Sequence, residues 1–394
     1  MTESRYRTNI PKAYTYDFLK NFMLFSGVLV PFFTQWGGIK FSQIMILQAV
    51  FTLGMFLFEI PTGVVADRYG RKTSLILSGV FTALAVLVYS SHPSFPVFIA
   101  GELLWAVGVT LASGADTALV YDSLIQTGEE KGSKKILNRV ESIGLFAMVF
   151  AAPLGSLVAK YIGVRWAMIL SVIPISFSIV IALTFTEPPV VRKTEEKDYF
   201  KILRSGLAYF RGHRILRILT IDYVAIMTLS FFLIWVYQVV LKSLDFPLEY
   251  YGFVHAGIVI AEIIVLNGVI KMEAAAGSKK RYIFISTLLV GVCYLVLSYT
   301  YNIIAAIICM LIIAGFGLTV KPLFFSYMNK YIESENRATV LSAVSMARSI
   351  VTAAANVIIG YFVDINMRYT LFALGIITLV FAFTSRVTEE HLKD

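Results

Sequence analysis

The hydrophobic residues of this chain gather in long runs that short polar segments separate. A helix needs about 20 apolar residues to cross a bilayer. The runs do not alternate every second residue, as barrel strands would, and helices pair their own backbone groups inside lipid. The pattern predicts twelve spanning helices, near residues 15–36, 42–66, 73–91, 96–124, 138–160, 164–185, 214–241, 249–270, 280–300, 303–328, 337–362 and 367–385.

One longer polar segment, residues 186–213, separates a predicted N-terminal bundle (1–185) from a predicted C-terminal bundle (214–394). Its apolar residues recur at helical spacing with basic residues between them: Phe200, Leu203, Leu207 and Phe210. This spacing predicts an amphipathic helix at the inner membrane surface. A regulatory target segment of the calmodulin-binding kind is the alternative.

The composition agrees with a membrane protein. Hydrophobic residues make up 58% of the chain, charged residues 15%, and the mean hydropathy is +0.76. Soluble domains are about 45–50% apolar and about 25% charged. A soluble enzyme, a disordered chain and a disulfide scaffold are therefore excluded, and Cys293 and Cys309 are expected to pack as small hydrophobic residues.

The net charge of +9 has a simple topological explanation. If the N-terminus is inside, the outer loops hold only Lys40, Lys160, Arg165, Lys242 and Arg368. Basic residues concentrate in cytoplasmic loops. We therefore expect a multi-pass protein of a prokaryotic inner membrane with both termini in the cytoplasm, and no nucleic-acid partner.

The two halves of the chain repeat each other at a shift of 205 residues, which places Asp17 on Asp222. The matching segments are Thr15-Tyr-Asp17-Phe with Thr220-Ile-Asp222-Tyr, Gly63-Val-Val with Gly268-Val-Ile, and Gly155-Ser-Leu-Val with Gly360-Tyr-Phe-Val. Parallel repeats of this kind are a transporter architecture, in which one half rocks against the other around a central substrate site.

The loop after the second span carries a dense motif, Gly63-Val-Val-Ala-Asp67-Arg68-Tyr-Gly70-Arg71-Lys72. Gly63 would let a neighbouring helix approach closely, and Gly70 would permit a tight turn with positive φ. The motif resembles the signature loop of the major facilitator superfamily, G-x-x-x-D-R-x-G-R-R/K, at every fixed position.

This resemblance implies two pseudo-symmetric six-helix bundles and a motif that latches them together when the transporter is open to the outside. It implies that Asp67 meets the start of span eleven and that Arg71 meets an acid at the inner end of span four, where Asp122 stands.

Ionisable side chains at membrane depth are functional candidates because burying charge in lipid is costly. They are Glu59, Glu102, Asp116, Asp222, Glu262, Lys321 and Arg348. Asp116 and Lys321 are related by the 205-residue shift, so they can meet across the central axis and part when Asp116 is protonated. The alternative is that each is satisfied within its own half or reaches the inner interface.

The remaining acids have several interpretations. Glu102 precedes Asp116 by four helical turns, so both should lie on one face of span four. The resembled family often has an arginine there, and an acid suits a cation or a proton better; exposure near the outer surface is the alternative. Asp17 is expected to stabilise a helix N-terminus, while for Asp222 a coupling role stays open. Glu59 and Glu262 are candidates for proton coupling, with local pairing, for example near Arg348 or the loop arginines, as the alternative; the sequence does not choose between the two.

Spans one, four, seven and ten line the cavity in the resembled family. Here they offer aromatic side chains and one amide: Phe25, Phe32, Trp105, Phe231, Trp235, Tyr237, Gln238 and Phe324. Such a lining suits a hydrophobic or cationic organic substrate. Ordinary helix packing is the alternative for each residue.

Span five holds Ala151-Ala152-Pro153-Leu154-Gly155-Ser156, which resembles a weakened antiporter motif of the drug-exporting branch. No nucleotide-binding P-loop, metal-ligand spacing or nucleophile elbow occurs, which argues against ATP as the energy source, against a cofactor and against an enzyme.

The sequence therefore predicts a monomeric, proton-coupled exporter of small hydrophobic or cationic compounds. The alternatives are a proton-linked importer or carrier of a sugar, metabolite or lipid, and a non-transporting membrane receptor on the same fold.

Overall fold

The computed structural model describes residues 2–189, 209, 212–333 and 336–392. These residues form helices and connections without a strand. The all-α membrane fold predicted from the hydrophobic runs is confirmed. The amphipathic helix predicted for the central linker, with Phe200, Leu203, Leu207 and Phe210, lies outside the described residues.

Within each half of the chain, short segments connect consecutive helices. In the first half they are α1 Thr2–Arg7, α2 Asn9–Asn21, a 3-10 turn Leu24–Val28, α3 Leu29–Pro31, a π turn Phe32–Trp36, α4 Phe41–Tyr69, α5 Arg71–Ser91, α6 Phe95–Ala112, α7 Ala115–Gln126, α8 Ser133–Tyr161, α9 Val164–Leu170 and α10 Val172–Thr184. In the second half they are α11 Arg214–Phe231, α12 Leu233–Ser243, α13 Tyr251–Ala276, α14 Lys279–Tyr299, α15 Ile303–Ile313, a π turn Ala314–Leu318, α16 Val320–Met328 and α17 Arg337–Thr384.

Ten helical segments within the described residues are long and apolar enough to cross a membrane. The predicted number was twelve, and two regions account for the difference. One is the predicted first span, which is broken into short pieces. The other is α17, whose 48 residues cover the last two predicted spans. The count of twelve crossings stays a prediction.

The helix of the predicted first span is interrupted where other segments pack closely against its backbone. A Cβ atom built on Gly155 of α8 would collide with the carbonyl of Leu24, and one built on Gly27 would lie 2.7 Å from the Cα of Gly252. The Leu24 N–H donates to Ser171 Oγ at 3.0 Å instead of to a helical carbonyl. After Asn21 the regular α-helix therefore stops, and close packing together with a side-chain acceptor stabilises the irregular backbone.

A straight helix of 48 residues would be about 72 Å long, more than twice a hydrocarbon core of about 30 Å, but α17 consists of two helical segments joined at a kink. Its backbone leaves the helical region at Asn366, with φ −159° and ψ 103°. The Asn366 side chain accepts from the Tyr369 N–H at 3.0 Å, which starts a new helical turn. The kink therefore lies where the sequence predicted the loop between the last two spans.

Predicted spans four and ten are both discontinuous, and at equivalent positions. Helix α6 ends before Gly114, whose φ of +76° only glycine adopts readily. Thr319, 205 residues later, is the non-helical residue that precedes α16. Asp116 and Lys321 thus each lie in the first turn of a new helix. The prediction that Glu102 and Asp116 share one helix face is wrong, because the helix breaks between them.

The contacts divide the chain into two compact units. The first contains Met1–Glu196 together with Leu248–Ala256, and the second contains Lys197–Pro247 and Gly257–Asp394. Each unit has an apolar core at the end predicted to face the cytoplasm. In the first unit the core includes Tyr16, Leu119 and Phe185, and in the second it includes Tyr223, Phe324 and Val344. The first turns of the eighth predicted span therefore pack with the first unit, whereas the sequence division placed them in the C-terminal bundle.

Candidate functional site

The centre of the candidate site is an ion-pair cluster in the first unit. Lys20 Nζ lies 2.9 Å from Asp17 Oδ1 and 3.2 Å from Asp116 Oδ2. The other oxygen of Asp116 accepts the Thr117 N–H at 2.6 Å. Because Asp116 is in the first turn of α7, the helix dipole also favours its negative charge. One ammonium thus serves two carboxylates.

The cluster forms part of the wall of a cavity of about 430 Å³ between α2, α7 and α8. The cavity is lined by Asp17, Lys20, Asn21, Asp116, Thr117, Val120, Leu137, Asn138, Val140, Glu141, Gly144, Leu145 and Met148. Three acids face it against one lysine, so the cavity favours a cationic guest. Its polar residues lie on the first, fourth and fifth predicted spans.

Gly144 lets α8 approach this cluster. A Cβ atom there would collide with Asp17 Oδ2 and would lie 2.7 Å from Asn21 Nδ2. Asp17 itself is near the end of α2, not at the helix N-terminus where its role was predicted, because the helix begins as early as Asn9. That interpretation of Asp17 is wrong, and the residue pairs with Lys20 instead.

Asp116 therefore has a partner within its own unit, as one of the two sequence interpretations allowed. Lys321 is exposed and its ammonium lies 5.7 Å from the centre of the Phe325 ring. The pairing of Asp116 with Lys321 stays a prediction.

Glu102 is a second buried acid in the first unit, 3% exposed. Gln48 Nε2 of α4 donates to Glu102 Oε1 at 3.2 Å, and the Tyr89 hydroxyl of α5 also hydrogen-bonds to the carboxylate. The acid therefore lies between helices rather than at an exposed outer surface, and the interpretation as an exposed acid is wrong. Gln48 and Tyr89 were not predicted, since neither carries a charge.

The loop motif is built around a glycine turn. Gly70 separates α4 from α5 with φ +94°, as predicted. Arg71 forms an ion pair with Asp122, the acid that the family resemblance placed opposite it. Arg68 lies over the Tyr69 ring, and Asp67 is exposed. Its contact with the start of span eleven stays a prediction.

Gly63 lies in α4, and its surroundings within the first unit are open. A Cβ atom built there has no described atom within 4 Å. Within its own unit no described helix approaches Gly63 closely, and the approach of a helix at this glycine stays a prediction.

An acid missed by the sequence analysis completes the motif. Glu187, just after α10, accepts the backbone N–H groups of Arg71 and Lys72, each at 2.7 Å. These are two of the unpaired N–H groups at the start of α5. The signal was present, since an acid follows the sixth span directly, but no local pattern connects it with a helix more than 100 residues earlier.

In the second unit, Asp222 is 3% exposed and accepts a hydrogen bond from the Ser385 hydroxyl. Glu59 is exposed, while Glu262 and Arg348 are half-buried. Within their own units these three have no ion-pair partner among the described residues. Of the two interpretations of Glu59 and Glu262, local ion pairing within a unit is thus not seen among the described residues, and a role in proton coupling stays a prediction.

The aromatic residues predicted to line a cavity mostly pack within their units. Phe25 meets Trp105 edge to face at 5.8 Å, and Phe32 is fully buried among Phe33, Trp36 and Phe98. Trp235, Tyr237, Gln238 and Phe324 are buried, with Gln238 Nε2 donating to the Tyr237 hydroxyl at 2.9 Å, and Phe231 is half-buried beside Phe232. A role in substrate binding stays a prediction for these residues.

The small residues of span five allow close packing with the start of α13. The Ser156 hydroxyl lies 2.8 Å from the Glu249 carbonyl, and Lys160 Nζ lies 3.5 Å from the Glu249 carboxylate. A Cβ atom on Gly252 would collide with the Ala152 carbonyl. The motif thus serves packing within the first unit.

A polar seam between α11 and α17 was also missed. The hydroxyls of Thr228 and Thr352 lie 3.1 Å apart. One helical turn further, Asn356 is 1% exposed, and neither amide atom has a hydrogen-bond partner among the described residues. A buried amide without partners costs about 1–3 kcal/mol. This amide makes Asn356 a candidate contact for a polar molecule.

A helical membrane protein with discontinuous spans, a placed charge cluster and a glycine-turn motif has the features of a secondary transporter. The family model described as Major Facilitator Superfamily matches residues 18–356. The chain belongs to this family, and it is a transporter rather than an enzyme.

Two relatives illustrate the range of the sequence similarity. An uncharacterized MFS-type transporter, YxaM of Bacillus subtilis (strain 168), is 24% identical over 354 residues, which cover 86% of this chain and 85% of the relative. The solute carrier family 2 facilitated glucose transporter member 12 of Mus musculus is 28% identical over 189 residues, 46% of this chain and 29% of the relative.

Solved structures share the fold at low identity. A point mutant of the nucleoside transporter NupG has a TM-score of 0.84 at 12% identity and covers 98% of this chain and 100% of its own. A D-xylose-proton symporter has a TM-score of 0.73 at 15% identity, with 98% and 99% covered.

Proposed function

We propose that this transporter exports small hydrophobic or cationic compounds in exchange for protons, by alternating access. It acts as a monomer in the cell membrane, with both termini in the cytoplasm. It needs no cofactor, and the proton gradient supplies the energy. The observation that carries the proposal is the sharing of Lys20 between Asp17 and Asp116 on the wall of the 430 Å³ cavity.

The shared lysine supports coupling through charge. When both acids are ionised, Lys20 balances one negative charge and leaves another for a cationic substrate. Protonation of Asp116 removes that charge, so Lys20 satisfies Asp17 alone and the cationic substrate is released. Proton and substrate thus compete for one carboxylate, which is the condition for exchange.

The energy of the gradient is sufficient for this mechanism. Moving one charge through 100 mV is worth about 2.3 kcal/mol. The discontinuous fourth span supports the proposal further, because a break beside Asp116 allows the start of α7 to move without unwinding α6.

Transport of a lipophilic cation, tetraphenylphosphonium, into inverted vesicles under an imposed pH gradient tests the proposal. We expect proton-driven uptake by the natural chain and none by Asp116→Asn. Asp245→Asn removes an exposed loop acid and is the matched control, which should transport normally. Full activity of Asp116→Asn would remove Asp116 from the mechanism. Binding of the cation without transport by any variant would favour a receptor on the same fold.

The second candidate function is a proton-linked importer or carrier of a neutral hydrogen-bonding solute such as a sugar, with metabolites and lipids as further possibilities. The buried, unpartnered amide of Asn356 favours it, and so do the glucose and xylose transporters among the similar proteins. Counterflow of radiolabelled xylose in proteoliposomes, without any response to the cation, would decide for this candidate.

A further inference from the structure

The second unit contains a separate cavity of about 210 Å³ between α11, α14 and the end of α17. Lys280 near the start of α14 and Ser385 just after α17 both line it. By the predicted topology these ends lie at the cytoplasmic membrane interface. The cavity is therefore at the depth of the inner-leaflet headgroups.

The buried inner wall of this cavity contains an acid, Asp222, whose negative charge is poorly balanced by its surroundings. Asp222 is 3% exposed, and the Ser385 hydroxyl is its one hydrogen-bond partner among the described residues. A buried carboxylate is costly unless a cation or several donors face it. One neutral hydroxyl does not meet that need.

The equivalent acid of the first unit shows what is missing. Asp17 corresponds to Asp222, and it has the ammonium of Lys20 at 2.9 Å. The position equivalent to Lys20 in the second half is Ala225. The first unit thus supplies an ammonium to its acid from its own chain, while the second leaves an open cavity beside the acid.

The rim of the cavity contains a basic residue, and its side walls are aromatic, whereas the inner wall contains the acid Asp222. The Lys280 side chain is exposed, and its backbone N–H is bound by Glu389 at 2.8 Å, which fixes the start of α14. Phe284 and Phe383 both line the cavity and meet edge to face at 5.4 Å; Phe383 is 70% exposed. An acid, a base and an apolar wall therefore lie around one cavity at the interface.

We propose that this cavity binds the headgroup of phosphatidylethanolamine from the inner leaflet. The lipid's primary ammonium donates hydrogen bonds to Asp222, its phosphate pairs with Lys280, and its acyl chains follow Phe383 into the bilayer. Basic residues at the cytoplasmic interface commonly bind lipid phosphates. The site is additional to the proposed transport function and does not depend on it.

Native mass spectrometry of the purified full chain in detergent, with each of three lipids added in turn, tests this proposal. We expect phosphatidylethanolamine to be retained at least tenfold better than phosphatidylcholine, whose quaternary ammonium has no N–H, and than phosphatidylglycerol, which has no amine. Asp222→Asn and Lys280→Gln should each remove this preference.

Two further variants keep the test decisive even if Asp222→Asn does not fold. Ala225→Lys copies the arrangement of the first unit and should abolish the preference by supplying an internal ammonium. Lys72→Gln, the equivalent of Lys280 at the start of α5, should retain it. Equal retention of the three lipids, a stronger retention of phosphatidylglycerol, or an unchanged preference in Ala225→Lys would each overturn the proposal.

Discussion

Glu187 and Glu389 occupy equivalent places in the two units, and each carboxylate binds the start of a helix through both of its oxygens. Glu187 accepts the N–H groups of Arg71 and Lys72, both at 2.7 Å. Glu389 accepts those of Lys279 and Lys280, at 3.1 and 2.8 Å. The loop motif is degraded in the second half of the sequence, yet this helix cap is kept.

Removing the charge of Glu389 should weaken the second unit slightly. Glutamine offers one acceptor instead of two, so we expect Glu389→Gln to lower stability by about 0.5–1 kcal/mol. Thermal unfolding in detergent measures the change, and Glu390→Gln on the adjacent exposed residue is the control. Equal effects of the two variants would show that the cap does not contribute.

The same cap predicts a pH dependence. Glu389 is exposed, and the slight desolvation of its carboxylate alone would raise its pKa. The hydrogen bonds from the backbone N–H groups of Lys280 and Lys279 outweigh this and lower the pKa below its ordinary value of 4.5. A lowered pKa gives stability that is present above pH 4.5 and is lost as the pH falls through the folded-state value. The difference between Glu389→Gln and the natural chain should therefore be full at neutral pH and vanish in acid.

Lys20 should matter more for stability than either acid that it serves. Lys20→Met leaves two carboxylates side by side, and breaking a buried pair costs about 3–5 kcal/mol. The side chains here are up to 30% exposed, so we expect a smaller loss of about 2 kcal/mol. Urea unfolding measures it, and adding Asp116→Asn to Lys20→Met should restore part of the loss. Simple addition of the two losses would exclude the shared ion pair.

Substitutions at Gly144 and Gly63 should distinguish a glycine needed for packing from one needed for switching between the open states. Gly144→Ala should disturb the cluster, because its Cβ would collide with Asp17. We expect this variant to lose about 1–3 kcal/mol of stability and to show reduced transport.

Gly63→Leu lies within α4, where an added Cβ meets open space. The stability of this variant should therefore equal that of the natural chain or be slightly higher. If the motif latches the two bundles, Gly63→Leu should nevertheless slow turnover. Normal turnover measured in proteoliposomes would contradict the latch.

The sequence predicted the long helices because each crossing needs its own run of apolar residues. The breaks before Asp116 and Lys321 were missed although local signals were present, namely Gly114 before the first and Pro322 in the first turn after the second. The length of the apolar runs outweighed these signals. An ion pair between helices was predicted correctly where the family resemblance supplied both partners, as with Arg71 and Asp122. Lys20 was not singled out by the sequence analysis, although its position three residues after Asp17 on one helix was a local signal for that pair. Its second partner, Asp116, lies on another helix, and hydrophobicity alone does not fix how the two helices rotate.

Asn356 offers the sharpest distinction between a structural and a functional polar group. If its amide only lacks partners, Asn356→Leu removes a desolvation cost and should stabilise the protein by about 1–3 kcal/mol without changing transport. If a polar substrate satisfies the amide in another state, the same variant should be stabilised and yet lose transport. Thermal unfolding and proteoliposome uptake, measured together, separate the two.

Thr352→Val, which breaks the hydroxyl pair one turn away, is the control and should lower stability with little change in transport. A destabilised Asn356→Leu would instead show that an ordered water already satisfies the amide, which would remove the support that Asn356 gives to a sugar-like substrate.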